Sequence, residues 1–184
     1  MFQSLANQLT LSRIILIPVI LILLGIQAAW AAWAALIFFA AAGVTDWLDG
    51  YLARRDGQVS RLGQFLDPIA DKLLVAAVIL LLVYNKQIDG LTVIPAVIIL
   101  LREVAVSGLR EFLAEVHVGV PVSQLAKWKT GIQLVALGFL IVGRYAPESI
   151  PSTRIGDIGL WIAGALTVVT AWDYWRASEK HFRQ

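Results

Sequence analysis

Between residues 9 and 26 the chain reads LTLSRIILIPVILILLGI. Only Arg13 is charged there, and about 20 mostly apolar residues in a helix are what the hydrocarbon core of a bilayer requires. Five more such segments follow, at approximately 30–49, 67–84, 91–110, 124–143 and 155–175. The sequence therefore predicts an all-α polytopic membrane protein with six transmembrane helices. Apolar residues make up 59% and charged residues 15%, against roughly 45–50% and about 25% in soluble proteins. With a mean hydropathy of +0.76, a water-exposed fold has nowhere to put so much hydrocarbon. A disordered chain, a collagen and a soluble enzyme are excluded.

Every break between the segments is too short for a second folded unit, so residues 1–184 are read as one transmembrane domain. The chain has no cysteine, which removes disulfides, thiolate metal sites and cysteine nucleophiles. A net charge of +2 is too small to indicate a nucleic-acid partner. Ahead of the first span, Phe2, Leu5, Ala6 and Leu9 recur at helical spacing among polar residues, which suits a short amphipathic helix at the membrane surface. No basic cluster precedes the first apolar run, so a cleaved signal is not expected.

Charge placement gives an orientation. The termini, the 50–66 and 111–123 regions and the adjoining helix ends hold Arg13, Arg54, Arg55, Arg61, Lys72, Arg110, Lys127, Lys129, Arg176, Lys180 and Arg183, eleven cations. The opposite side holds three, Lys86, Arg144 and Arg154. The positive-inside rule then puts both termini in the cytoplasm.

Four carboxylates stand where apolar spans should tolerate none. The second span ends TDWLDGYLAR (residues 45–54) and the third begins GQFLDPIADK (residues 63–72). At about 100° per residue, Asp46, Asp49, Gly50 and Ala53 share one helix face within a sector of about 100°. Asp67 and Asp71 align with Gly63 by the i, i+4 rule. The short connection suggests antiparallel neighbours whose acidic faces converge. Like charges gathered this way need counter-charge. Divalent cations supply it, and all-oxygen ligands without His or Cys point to a hard ion, Mg2+ or Mn2+ first, with Ca2+ the alternative. Four carboxylates can hold two ions, an arrangement suited to displacement at phosphorus. The plainer reading is salt bridging to Arg54, Arg55, Arg61 and Lys72, with Asp67 a helix N-cap and Pro68 in the first turn.

Written out, the pattern is D-x2-D-G-x2-A-R-x8-G-x3-D-x3-D, with eight fixed residues in 26 positions: Asp46, Asp49, Gly50, Ala53, Arg54, Gly63, Asp67 and Asp71. It resembles the signature of the CDP-alcohol phosphatidyltransferases at every position and gap. The likeness extends to the Asn7-x-x-Thr10-x-x-Arg13 opening, Arg102-Glu103, Arg110-Glu111 and Lys127-x-Lys129-Thr130. These look most like the bacterial branch that makes phosphatidylglycerophosphate from CDP-diacylglycerol and sn-glycerol 3-phosphate. Ala126 departs from the glycine expected there. The resemblance implies two divalent cations. Asp46, Asp49 and Asp67 would ligate one, Asp46, Asp67 and Asp71 would surround the other, and Asp71 would serve as general base. It implies Gly50 and Ala53 against the cytidine, Arg54 at the pyrophosphate, a homodimer, and location in a bacterial cytoplasmic membrane among membrane lipids. Asn7, Thr10 and Arg13 could hydrogen-bond the headgroup of CDP-diacylglycerol.

The acceptor is a dianion, so its site should be cationic. Arg110, Lys127 and Lys129 flank one cytoplasmic break. Arg102, about 12 Å from Arg110 along a helix, could help a phosphate or be neutralised by an acid, with Glu103 a structural partner. His117 and His181 read as solvated. Asp173 reads as a pairing residue. Trp30, Trp33, Trp161, Trp172 and Trp175 read as an interfacial belt, and Gly131, Gly138, Gly143, Gly159 and Gly164 as sites of close helix packing. The signature alone leaves serine, inositol, inositol phosphate or phosphatidylglycerol open as acceptors. A divalent-cation transporter is the rival from another class, because intramembrane acids also line ion paths. A purely structural scaffold is the third reading.

Overall fold

A computed structural model describes the backbone of residues 5–56, 61–115 and 124–182, and side chains outside 1–11, 46–65, 67–68, 114–123 and 177–184. Among the described residues the protein is all-α, with no strand. The helices are α1 (Leu5–Ile26), α2 (Ala29–Asp56), α3 (Arg61–Tyr84), α4 (Val93–Glu115), α5 (Gln124–Val142) and α6 (Ser152–Phe182). Short 3-10 turns, Gly90–Thr92 and Gly143–Tyr145, precede α4 and follow α5. Three stretches, Gly90–Leu113, Gln124–Tyr145 and Ser152–Arg176, are long and apolar enough to cross a membrane. Shorter apolar stretches, Ser12–Ile26 and Ala29–Thr45, lie in α1 and α2. Large side chains such as Ile22, Leu80, Val104 and Trp128 are exposed, a surface that hydrocarbon rather than water must cover. All five tryptophans read as a belt are exposed as well. The protein is a helical membrane protein.

Two helix bounds differ from expectation. The amphipathic start is helical from Leu5 and runs into the first span without a break. The region read as a connection, 50–66, is mostly helix: α2 continues to Asp56 and α3 begins at Arg61. Leu52, Ala53, Arg54 and Arg55 are good helix formers, and the single Gly50 costs only about 1 kcal/mol. Asp67 therefore lies inside α3 and is not an N-cap.

The chain forms two compact units, Met1–Ile88 with Gly138–Thr153, and Asp89–Leu137 with Arg154–Gln184. In the first, α1 packs along α2 and α3. The inward face of α2 is Ala31, Ala35, Phe39 and Ala42, and that of α3 is Ala70, Leu74, Val78 and Leu82. Both repeat at three or four residues, and the alanines let backbones approach closely where lipid offers no hydrophobic drive. At Gly138 an added Cβ would lie 3.2 Å from Leu36 Cδ1. In the second unit, α6 meets α5 and α4 through small residues. A Cβ on Gly159 would come within 2.8 Å of Ala136 Cβ, and one on Gly164 within 2.8 Å of Pro95 Cβ. Gly131 has nothing within 4 Å, so close packing does not explain it.

The polar breaks of the first unit plug helix ends. Leu24 and Ile141 are buried in the protein, so their carbonyls are shut off from water and side chains must satisfy them. Asn85 Nδ2 donates to the Leu24 carbonyl (2.9 Å), Gln27 Nε2 to Asn85 Oδ1 (2.9 Å) and Gln87 Nε2 to the Ile141 carbonyl (3.2 Å). Arg144 Nη2 donates to the Asn85 carbonyl, and the Tyr145 hydroxyl to that of Gln27. Gly143 sits at φ +38, where an added Cβ would meet the Gln87 amide. A Cβ in left-handed backbone costs roughly 1–2 kcal/mol. Displacing Gln87, which is buried, adds an unsatisfied polar group at about 1–3 kcal/mol. Gly143→Ala should therefore destabilise the protein by about 2–5 kcal/mol, read as a lowered Tm in detergent. Gly90→Ala is the control, with φ +49 and open space around it. Equal losses in the two variants would remove Gln87 from the explanation.

Candidate functional site

The signature occupies two helices of the first unit. Asp46, Asp49, Gly50, Ala53 and Arg54 are positions of α2, and Gly63, Asp67 and Asp71 are positions of α3. Both helices are continuous through these positions, so the i, i+3 and i, i+4 spacings are true helical spacings. The side chains of Asn7, Thr10, Asp46, Asp49, Ala53, Arg54 and Asp67 lie outside the described residues, as does Gly50. His117 and His181 lie outside them too.

Asp71 is described, and its partner was not anticipated. Arg13 Nη1 of α1 donates to Asp71 Oδ1 at 3.0 Å. The Arg13 side chain is 1% exposed and that of Asp71 45%. A guanidinium inside an apolar span is costly alone, and Asp71 compensates it. The pair also fixes α1 against the helix carrying the third and fourth carboxylates. The sequence signal was available: Arg13 is the one charge in its span and had to find an acid. Of the other candidate partners of these acids, Arg54, Arg55 and Arg61 have side chains outside the described residues.

A hard cation suits the donor types on these two helices, carboxylate oxygens with no sulfur or imidazole. The half-exposed Asp71 carboxylate can turn toward such an ion while Arg13 holds one of its oxygens. Among the described residues no three metal-ligating side chains gather, and of the four signature acids only Asp71 has a described side chain.

The second unit holds a separate polar cluster. Glu103 Oε1 accepts from Arg102 Nη1 (3.5 Å) and from the buried Lys129 ammonium of α5. Arg102 Nη2 also donates to Thr170 Oγ1 (3.2 Å), and its guanidinium lies 5.8 Å from the centroid of the Tyr174 ring. Arg102 and Lys129 thus share the one carboxylate of Glu103. Lys127 and Lys129 are not brought together. Two residues apart on a helix, they point to different faces, and Lys127 is exposed while Lys129 is buried. Arg110 is exposed. Asp173, expected to pair, is exposed and has no ion pair among the described residues.

The model of the CDP-alcohol phosphatidyltransferase family matches residues 3–169, and the chain belongs to that family. Among its relatives is the CDP-diacylglycerol--glycerol-3-phosphate 3-phosphatidyltransferase of Rickettsia bellii (strain RML369-C), 46% identical over 98% of each chain. The proteins of that name from Pseudomonas fluorescens and Bacillus subtilis (strain 168) are 40% and 38% identical. They cover 98% and 93% of this chain, and the match spans 93% of each of them.

Proposed function

We propose that this protein transfers the phosphatidyl group of CDP-diacylglycerol to the 1-hydroxyl of sn-glycerol 3-phosphate, releasing CMP and forming phosphatidylglycerophosphate. The observation that carries this is the likeness, over nearly the whole length of both chains, to relatives named for that reaction. The whole chain acts as one catalytic domain and works as a homodimer. It sits in the cytoplasmic membrane of a bacterium, with its termini and active site facing the cytoplasm. Eleven cations against three support that orientation.

Asp46, Asp49 and Asp67 hold one divalent cation, and Asp46, Asp67 and Asp71 the other, as Mg2+ or Mn2+. Such ions, when bound, polarise the transferred phosphate and neutralise its developing charge. Asp71 takes the proton of the acceptor 1-hydroxyl. That oxygen forms its bond to the phosphorus bearing diacylglycerol as the bond to CMP breaks, and the bridging oxygen leaves with CMP. Gly50 and Ala53 leave a smooth notch for the cytosine ring, and Arg54 meets the pyrophosphate. Asn7 and Thr10 hydrogen-bond the headgroup, and Arg13, on the same run of α1, serves that end of the site through Asp71.

Arg110, Lys127 and Lys129 supply charge for the acceptor phosphate. Arg102, held by Glu103, Thr170 and Tyr174, adds to the field. A guanidinium matches phosphate bidentately where an ammonium is a point charge. Arg110→Ala should therefore raise the acceptor KM by about tenfold and leave the CDP-diacylglycerol KM within about twofold. An equal rise in both would take Arg110 out of the acceptor site.

The function is tested by CMP release from CDP-diacylglycerol with glycerol 3-phosphate, inositol phosphate, serine, inositol or phosphatidylglycerol as acceptor. Glycerol 3-phosphate should be the one that supports turnover. Chelation should stop the reaction, and Mg2+ or Mn2+ should restore it. Turnover with another acceptor alone would overturn the substrate assignment. Metal flux into proteoliposomes without nucleotide would favour the transporter.

A further inference from the structure

We infer that Glu103 is a positioning residue for acceptor binding: it holds the Lys129 ammonium in place to receive the acceptor's phosphate. The inference rests on the reading of Lys129 as an acceptor ligand and deepens it. Lys129 is 3% exposed on an apolar helix, where an uncompensated ammonium would not persist. Its partner is the Glu103 carboxylate of α4, 26 residues away in sequence. Arg102 contacts the same oxygen and is itself held at Thr170 Oγ1 and over Tyr174. Glu103 is therefore tied to a second cation that has its own anchors.

Charge and donor count give the arrangement a use. Two cations against one carboxylate (+1 +1 −1) leave the cluster at +1. A buried excess positive charge favours an anion beside it. An ammonium has three N–H donors, and the contact with Glu103 uses one. Two remain for phosphate oxygens. Arg102 spends one N–H on Glu103 and one on Thr170, and its buried Nε has no partner among the described residues; both cations of the cluster thus keep donors, and Lys129 presents its own from a single mobile ammonium. Lys127, on another face of α5 and exposed, has no such partner among the described residues.

The test compares Glu103→Gln, Glu103→Asp, Lys129→Met and the Gln/Met double variant by CMP release in the purified protein. Glu103→Gln keeps the shape and removes the charge. It should raise the acceptor KM by at least about tenfold, with the CDP-diacylglycerol KM within about twofold. Glu103→Asp should recover most of that loss. The double variant should be no worse than Lys129→Met, because Glu103 acts through the lysine. Additive losses, an equal rise in both KM values, or a fall in kcat alone would overturn the inference. If Glu103→Gln does not fold, Glu103→Asp carries the test: a rise of about threefold confined to the acceptor KM supports the inference, and none overturns it. The wild-type acceptor panel separates the two levels of argument. Turnover with a different phosphorylated acceptor sinks the substrate assignment, and the same variants are then read with that acceptor. Turnover with glycerol 3-phosphate but no selective Glu103 effect sinks this inference alone. Turnover with only an uncharged acceptor sinks both.

Discussion

Asp71→Asn should leave a folded membrane protein that turns over about 10³-fold more slowly, or not at all. Asparagine keeps the volume of aspartate and offers a carbonyl oxygen to Arg13 Nη1, which now donates to Asp71 Oδ1 at 3.0 Å. The loss is the charge. Without it no group at this position can take the hydroxyl proton, and the acid cluster has one anionic donor fewer. Asp71→Ala should also abolish turnover, but it strands a guanidinium that is 1% exposed. Breaking a fully buried pair costs about 3–5 kcal/mol. Asp71 is half-exposed and its share is screened, so about 1–2 kcal/mol is the reasonable expectation here. The asparagine variant separates chemistry from this structural cost. The measurement is CMP release beside Tm and size-exclusion behaviour in the same detergent. A kcat within about tenfold of wild type, in a protein that unfolds normally, would remove Asp71 from the role of base.

The two-layered outcome for the acids shows what a sequence can carry. Hydropathy placed the six helices, because span length is a property of each segment alone. The i, i+3 and i, i+4 spacing of Asp46, Asp49, Asp67 and Asp71 was legible for the same reason. The 50–66 region was misread because its charge density signals contact with water, not the end of a helix. Longer-range facts were out of reach. Arg13–Asp71 spans 58 residues, Glu103–Lys129 26 and Arg102–Thr170 68. Periodicity fixes which residues share a face but not which helix that face meets. Lys127 and Lys129 were grouped by their nearness in sequence, although a spacing of two separates their directions. Gln27, Asn85 and Gln87 read as polar breaks, and only the fold shows them capping carbonyls of other elements or each other.

Arg13→Met should lower kcat by about 10²-fold with the CDP-diacylglycerol KM within about threefold. Arg13 is wholly buried, so it meets no headgroup without leaving its site. Among the described residues it is paired with Asp71. Removing it takes away one of the contacts that orient a half-exposed carboxylate, and a base misplaced by an ångström loses much of its advantage. Stability should respond less than to Asp71→Ala. The substitution takes away a buried charge and leaves behind a carboxylate that water can reach, whereas the converse strands the charge in hydrocarbon. Tm should therefore fall less in Arg13→Met than in Asp71→Ala. Arg13→Lys retains the charge but not the fork, and should recover part of kcat. The combination of Arg13→Met with Asp71→Asn should be no slower than Asp71→Asn alone, because both changes act on one group. A tenfold rise in the CDP-diacylglycerol KM at unchanged kcat would show instead that Arg13 leaves Asp71 and grips the lipid headgroup itself.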